Sequence, residues 1–167
     1  LAQLVGEDER LDIATIRLTD VQIQEITATD KIGSCVFRPK EWPSPEPGEG
    51  EFVAFGGFPG KLRTVKSFDE LVFGSWSNGA SKISSVSERQ FLSAFERDYW
   101  VHSFGLPEQS KLEELGVMSG GPVFINRGLY WDLVGLVSQY HEEYDAMFFS
   151  KLNAVHSDGT IEPAPLA

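Results

Sequence analysis

Apolar and polar residues alternate along most of this chain with a period of two, in short runs rich in β-branched and aromatic side chains that Gly, Pro, Asn and Asp cut off. Successive strand residues point to opposite faces, so this period lays an apolar row along one side of an extended segment. "LDIATIRL", "VQIQEI", "EFVAFG", "KLRTVKSF", "LVFGSW", "KISSVS", "PVFI", "WDLVGLVS" and "AMFFSKL" therefore read as strands. Only "SERQFLSAFERDYW" and "PEQSKLEELG" have a helical option, and the first reads equally as a continued strand. Parallel strands need a crossover between them, usually a helix, and no long helix alternates with these runs. The expectation is an all-β fold, a barrel or a sandwich.

The stretch 38–51, "RPKEWPSPEPGEGE", holds four prolines, two glycines and four glutamates. It is too stiff and too polar for a strand and reads as a connection between two units. Residues 1–37 supply only about half the strands of an independent barrel, whereas 52–157 hold enough for one complete small barrel. Residues 158–167, ending in "TIEPAPLA", read as a frayed or linking tail. The chain opens on Leu1 and enters strand-like sequence almost at once, so further residues are expected upstream.

Charge and cysteine content exclude several classes. Lys and Arg total 14 against 25 Asp and Glu, a net charge of -11 with no basic stripe, so nucleic acid is not an expected partner. Cys35 has no intrachain partner, and no Cys/His cluster has zinc-ligand spacing, so neither metal nor cofactor is expected. The lone cysteine leaves the redox compartment open, with the balance toward a reducing one such as the cytoplasm. No apolar run nears the roughly 20 residues that span a bilayer, and the acidic N-terminal stretch does not resemble a signal peptide. No membrane partner is expected.

Two glycine-rich stretches stand out. "AFGGFPG", 54–60, follows a strand, but no helix carrying Lys-Ser/Thr comes after it, so a phosphate loop is discarded and close passage of backbone is the reading kept. "LGVMSGGPVF", 115–124, places Ser119 before two glycines and a proline. Adjacent residues without Cβ allow a tight curl in which backbone N–H groups converge, the arrangement that stabilises a developing oxyanion.

Ser-Gly-Gly-Pro followed by an apolar strand resembles the nucleophile loop of the trypsin-like serine peptidases, a family of two β-barrels. Three further stretches fall in that family's order: "LDIATIRL" resembles its Asp-Ile-Ala segment, "VGLVSQY" the strand that lines substrate backbone, and "AMFFSKLNAV" the closing strand and start of the terminal helix. The resemblance covers residues 11 to about 155. It implies a double β-barrel whose second barrel is complete and whose first is represented only by its end. It further implies a serine endopeptidase acting on polypeptide, with Ser119 as nucleophile and Asp12 orienting a histidine base. The N–H groups of Ser119 and Val117 would form the oxyanion hole, and Ser138, Gln139 and Tyr140 would pair with substrate.

Rival serine-hydrolase layouts fit less well. The α/β-hydrolase elbow needs glycine two residues before the serine, where Val117 stands, and subtilisin-like enzymes need an α/β fold. The trypsin-like pattern is itself departed from in three places. None of the three histidines, His102, His141 and His156, precedes Asp12, so the base is expected upstream of this chain. Val117 replaces the usual glycine, and Met118 the aspartate that precedes the serine in trypsin itself. The alternative is a non-catalytic peptide-binding or scaffolding module on the same fold. Glu113, Glu114, Glu142, Glu143 and Asp145 would border a substrate pocket, although solvated acids are the expectation for a chain this acidic. Trp42, Trp76, Trp100 and Trp131 read as core or barrel-end packing.

Overall fold

The computed structural model describes residues 3–28, 37–58, 63–68, 71–73, 76–94 and 118–162. Strands dominate, with a single short helix among the described residues. "PEQSKLEELG", Cys35 and Trp100 lie outside them.

The chain begins with an antiparallel hairpin, β1 (Gln3–Asp8) and β2 (Ile13–Arg17). Its turn is built by Asp8, whose Oδ1 accepts the N–H groups of Arg10 at 2.8 Å and Leu11 at 2.9 Å. Asp12 closes the turn in the left-handed region, φ 54, a conformation that aspartate tolerates better than most residues.

"VQIQEI" is not a strand. Residues Asp20–Ala28 form α1, and the cause is a capping box: the Gln22 side chain accepts the Thr19 N–H at 2.9 Å, while Thr19 Oγ1 accepts the Gln22 N–H at 3.3 Å. None of its residues is buried.

The remaining strands are β3 (Phe52–Gly57), β4 (Arg63–Val65), β5 (Leu71–Phe73), β6 (Trp76–Val86), β7 (Gln90–Ala94), β8 (Pro122–Asn126), β9 (Trp131–His141) and β10 (Ala146–Lys151). Six of them close an antiparallel barrel in the order β10-β7-β6-β3-β8-β9, and among the described residues β4 and β5 form a two-stranded sheet. The ambiguous "SERQFLSAFERDYW" is therefore strand over Gln90–Ala94, with Phe91 and Ser93 turned inward, a turn at 87–89, and its remainder outside the described residues. Register slips at Val53/Phe55, Ile83/Ser85, Val123/Phe124 and Phe148/Phe149 supply the bends that closing a small barrel requires.

The barrel is filled by Val53, Phe55, Ile83, Phe91, Met118, Val123, Ile125, Val134, Val137, Met147 and Phe149. The Phe149 ring lies 5.1 Å from Phe55 and 4.9 Å from Phe91, the spacing of tilted and edge-on aromatic pairs. A second cluster sits outside the barrel, where Leu11 and Ile13 of the hairpin meet Leu152, Ala154 and Val155, with Trp42, Leu133, Leu136 and Ile161 at its margin.

Residues 37–51 have no regular structure and are fastened to that margin. The indole of Trp42 donates to the Val155 carbonyl at 2.8 Å. Glu46 accepts from Lys151 Nζ at 3.0 Å and from Asn153 at 2.8 Å, and Glu51 pairs with Arg127. Lys151 is buried, so its ammonium needs that carboxylate. Trp131, by contrast, is 46% exposed and belongs to neither apolar cluster; nothing is described of the Trp76 side chain.

No helix starts after β10 among the described residues. Residues 152–162 are turns with one bridge, Val155 to Ile161. Asp158 Oδ1 accepts both the N–H and the hydroxyl of Thr160, and Gly159 takes φ 90, so the Asp-Gly pair turns the chain back where a helix was expected. The stretch read as the start of a tail is held against the hairpin, where Thr15 Oγ1 donates to the Gly159 carbonyl at 2.5 Å.

Candidate active site

Residues 118–121 form a turn sewn to the barrel wall. Gly121 N–H bonds the Met118 carbonyl at 3.0 Å, Gly120 N–H bonds the Val137 carbonyl at 2.8 Å, and Val137 N–H bonds the Gly121 carbonyl at 2.7 Å. Met118 is buried in the core and anchors one end.

Both glycines of the turn are required, for different reasons. Gly120 sits at φ 85 with open space where a Cβ would be, so its need is conformational. Gly121 lies against β3, and a Cβ there would overlap the Gly56 carbonyl oxygen. A Cβ on Gly57 would in turn stand 3.3 Å from the Met118 Cβ. The two Gly-Gly pairs of the sequence thus pack on each other, and Ser119, between anchored neighbours, is left exposed at the crest.

Asp12 reaches the same place from the other end of the chain. Leu11 and Ile13 on either side of it are buried in the second cluster, so Asp12 is turned out to the surface. There Ser119 Oγ donates a hydrogen bond to Asp12 Oδ2 at 3.1 Å. Val117 lies outside the described residues, as do His102, Glu113 and Glu114. Among the described residues, no backbone carbonyl accepts the Ser119 N–H.

Ser138, Gln139 and Tyr140 lie on β9 just past Val137, the residue that binds the serine turn. One edge of this segment pairs with β10, through Gln139 opposite Phe148 and Tyr140 opposite Met147. On its other edge β8 ends at Pro122, opposite Leu136, so no described strand lies beside residues 138–141 on that side. Glu142 and Glu143 follow in an exposed turn, and Asp145 accepts the Tyr140 hydroxyl at 2.5 Å.

His141 ends β9, its ring 4.8 Å from Phe148 and 6.3 Å from Tyr144, and His156 is exposed beyond β10. The bond that Ser119 and Asp12 are seen to make is to each other, not to an imidazole. No cluster of three His, Cys, Asp or Glu side chains able to hold a metal occurs among the described residues.

A carboxylate is too weak a base to take an alcohol's proton unaided, so the Ser119–Asp12 pair by itself binds and orients but does not activate. Comparison of the chain with protein-family models, with curated proteins and with solved structures returns no match.

Proposed function

We propose that the chain is the larger part of a trypsin-like serine endopeptidase: residues 1–37 the end of a first barrel, 38–51 the crossing, and 52–157 the second barrel. The observation that carries this reading is proximity: the fold brings Ser119 and Asp12, 107 positions apart and singled out in sequence for paired roles, to one exposed place, and in this reading their mutual bond opens to admit the imidazole between them. In this reading Ser119 Oγ attacks the peptide carbonyl and gives its proton to a histidine supplied from outside the chain, which Asp12 holds in the right tautomer. The same proton passes to the leaving amine, and water then releases the acyl group. The N–H groups of Ser119 and Val117 stabilise the oxyanion, and Ser138–Tyr140 pair with substrate as an added strand.

One observation favours the second reading, a non-catalytic peptide-binding module. The direct bond between Ser119 and Asp12 occupies the place where an imidazole would stand, so the described arrangement is one in which the hydroxyl is engaged but not activated. A fluorophosphonate probe separates the two readings. The peptidase reading expects Ser119 to label when the protein carries the upstream histidine, and Asp12→Ala to slow that labelling at least about 100-fold. Absence of labelling in such a protein, with extended peptides still bound, would leave only the binding module.

A further inference from the structure

Apolar packing of Leu11 and Ile13 fixes where the chain passes, but it does not fix the rotation of the peptide unit that joins residues 11 and 12. That rotation matters, because Asp12 sits at φ 54, away from the regions an L-residue favours, and the rotation decides where its carboxylate points. The polar handle on this peptide unit is Ser150. Its hydroxyl, on the closing barrel strand and 1% exposed, donates to the Leu11 carbonyl at 2.6 Å across 139 residues.

We infer that Ser150 is a positioning residue for Asp12: by holding the Leu11 carbonyl, it locks the adjoining peptide plane and aims the carboxylate at Ser119. Two features bring Ser150 to this spot. Regular alternation along β10 turns Met147 and Phe149 into the barrel and Ser150 to the opposite face, toward the hairpin, the register slip beside Phe148/Phe149 being taken up by the extra residue Ser138 on β9. Opposite, Gly135 lets β10 come close, since a Cβ there would stand 2.8 Å from the Ser150 carbonyl oxygen. On the other side of Leu11, Asp8 holds its N–H, so both polar groups of the residue before Asp12 are tied. The bearing of this lock on catalysis rests on the peptidase reading; the lock itself does not.

The test reads Asp12 directly, in the full chain carrying ¹³C in aspartate side chains, with the Asp12 Cγ signal assigned by its loss in Asp12→Asn. Ser119→Ala removes the donor and is expected to move that signal. Ser150→Ala is expected to move it in the same direction by a comparable amount, and Ser150→Thr, which keeps the hydroxyl, to restore it to the wild-type position. A merely structural serine would lower thermal stability in Ser150→Ala and leave the signal in place, which would overturn the inference. Should Ser150→Ala fail to fold, a displaced Asp12 signal in folded Ser150→Thr would overturn it equally. If even Ser119→Ala leaves the signal unmoved, the Ser119–Asp12 contact is absent in solution and Ser150 has no aim to hold, which overturns the inference; the peptidase reading is decided separately, by labelling of Ser119.

Discussion

Ser119 Oγ donates to Asp12 Oδ2 at 3.1 Å, although 107 residues separate the two along the chain. Both side chains are exposed, so water competes for each partner and the bond contributes little to stability. A double-mutant cycle of Asp12→Asn and Ser119→Ala, read by urea unfolding, is expected to give a coupling of about 0.5–1 kcal/mol. A coupling above about 2 kcal/mol would mean that the pair is shielded from water.

The two glycines after Ser119 predict unequal costs. Gly121→Ala forces a methyl into the Gly56 carbonyl and should destabilise the chain by about 3 kcal/mol or more. Gly120→Ala meets nothing within 4 Å and bears only the left-handed backbone, about 1–2 kcal/mol. Chemical unfolding of both variants checks the order. Equal losses would show that the contact with β3 is not what the second glycine is for.

Phe149 is fully buried between two aromatic rings, and Phe149→Ala should cost about 3–5 kcal/mol. Leu129, at the tip between β8 and β9, is 99% exposed, and Leu129→Ser should change stability by no more than about 0.5 kcal/mol. Midpoints from thermal or urea unfolding separate the two.

Acid should loosen the fastening of residues 37–51. The hydrogen bond from Lys151 holds the Glu46 carboxyl below its ordinary value of 4.5, against a desolvation that pushes the other way and with further help from the Lys151 charge and the Asn153 amide. A depressed folded value contributes stability that is fully present above 4.5 and is lost as pH falls through the folded value. The stability difference between wild type and Glu46→Gln is therefore expected to shrink from about pH 6 to about pH 3. A constant difference over that range would remove Glu46 as the titrating group.

The strands were legible where one face is buried. "EFVAFG", "PVFI" and "AMFFSKL" alternate because Val53, Phe55, Val123, Ile125, Met147 and Phe149 fill the barrel. "VQIQEI" misleads for the opposite reason: α1 buries no face, so its apolar residues carry no helical period, and only Thr19 and Gln22 mark it. The turn that replaces an expected terminal helix is spelled by Asp158-Gly159. Asp12 and Ser119 were reached through a resemblance of motifs. Local sequence cannot state that Gly121 meets Gly56, or that Ser150 meets Leu11, because each is a contact between segments far apart in the chain.

The second apolar cluster gives assembly of the site an order in time. During synthesis Leu11 and Ile13 leave the ribosome well over a hundred codons before Leu152, Ala154 and Val155, the residues that bury them. Until then the hairpin that carries Asp12 lacks the second cluster on which it docks, and Ser119 waits at the crest of an unfinished wall. A nascent chain not yet extended past Val155, or one clipped before Leu152, therefore holds both residues without holding them together. The pairing becomes a checkpoint that the chain passes only once it has been made through Val155.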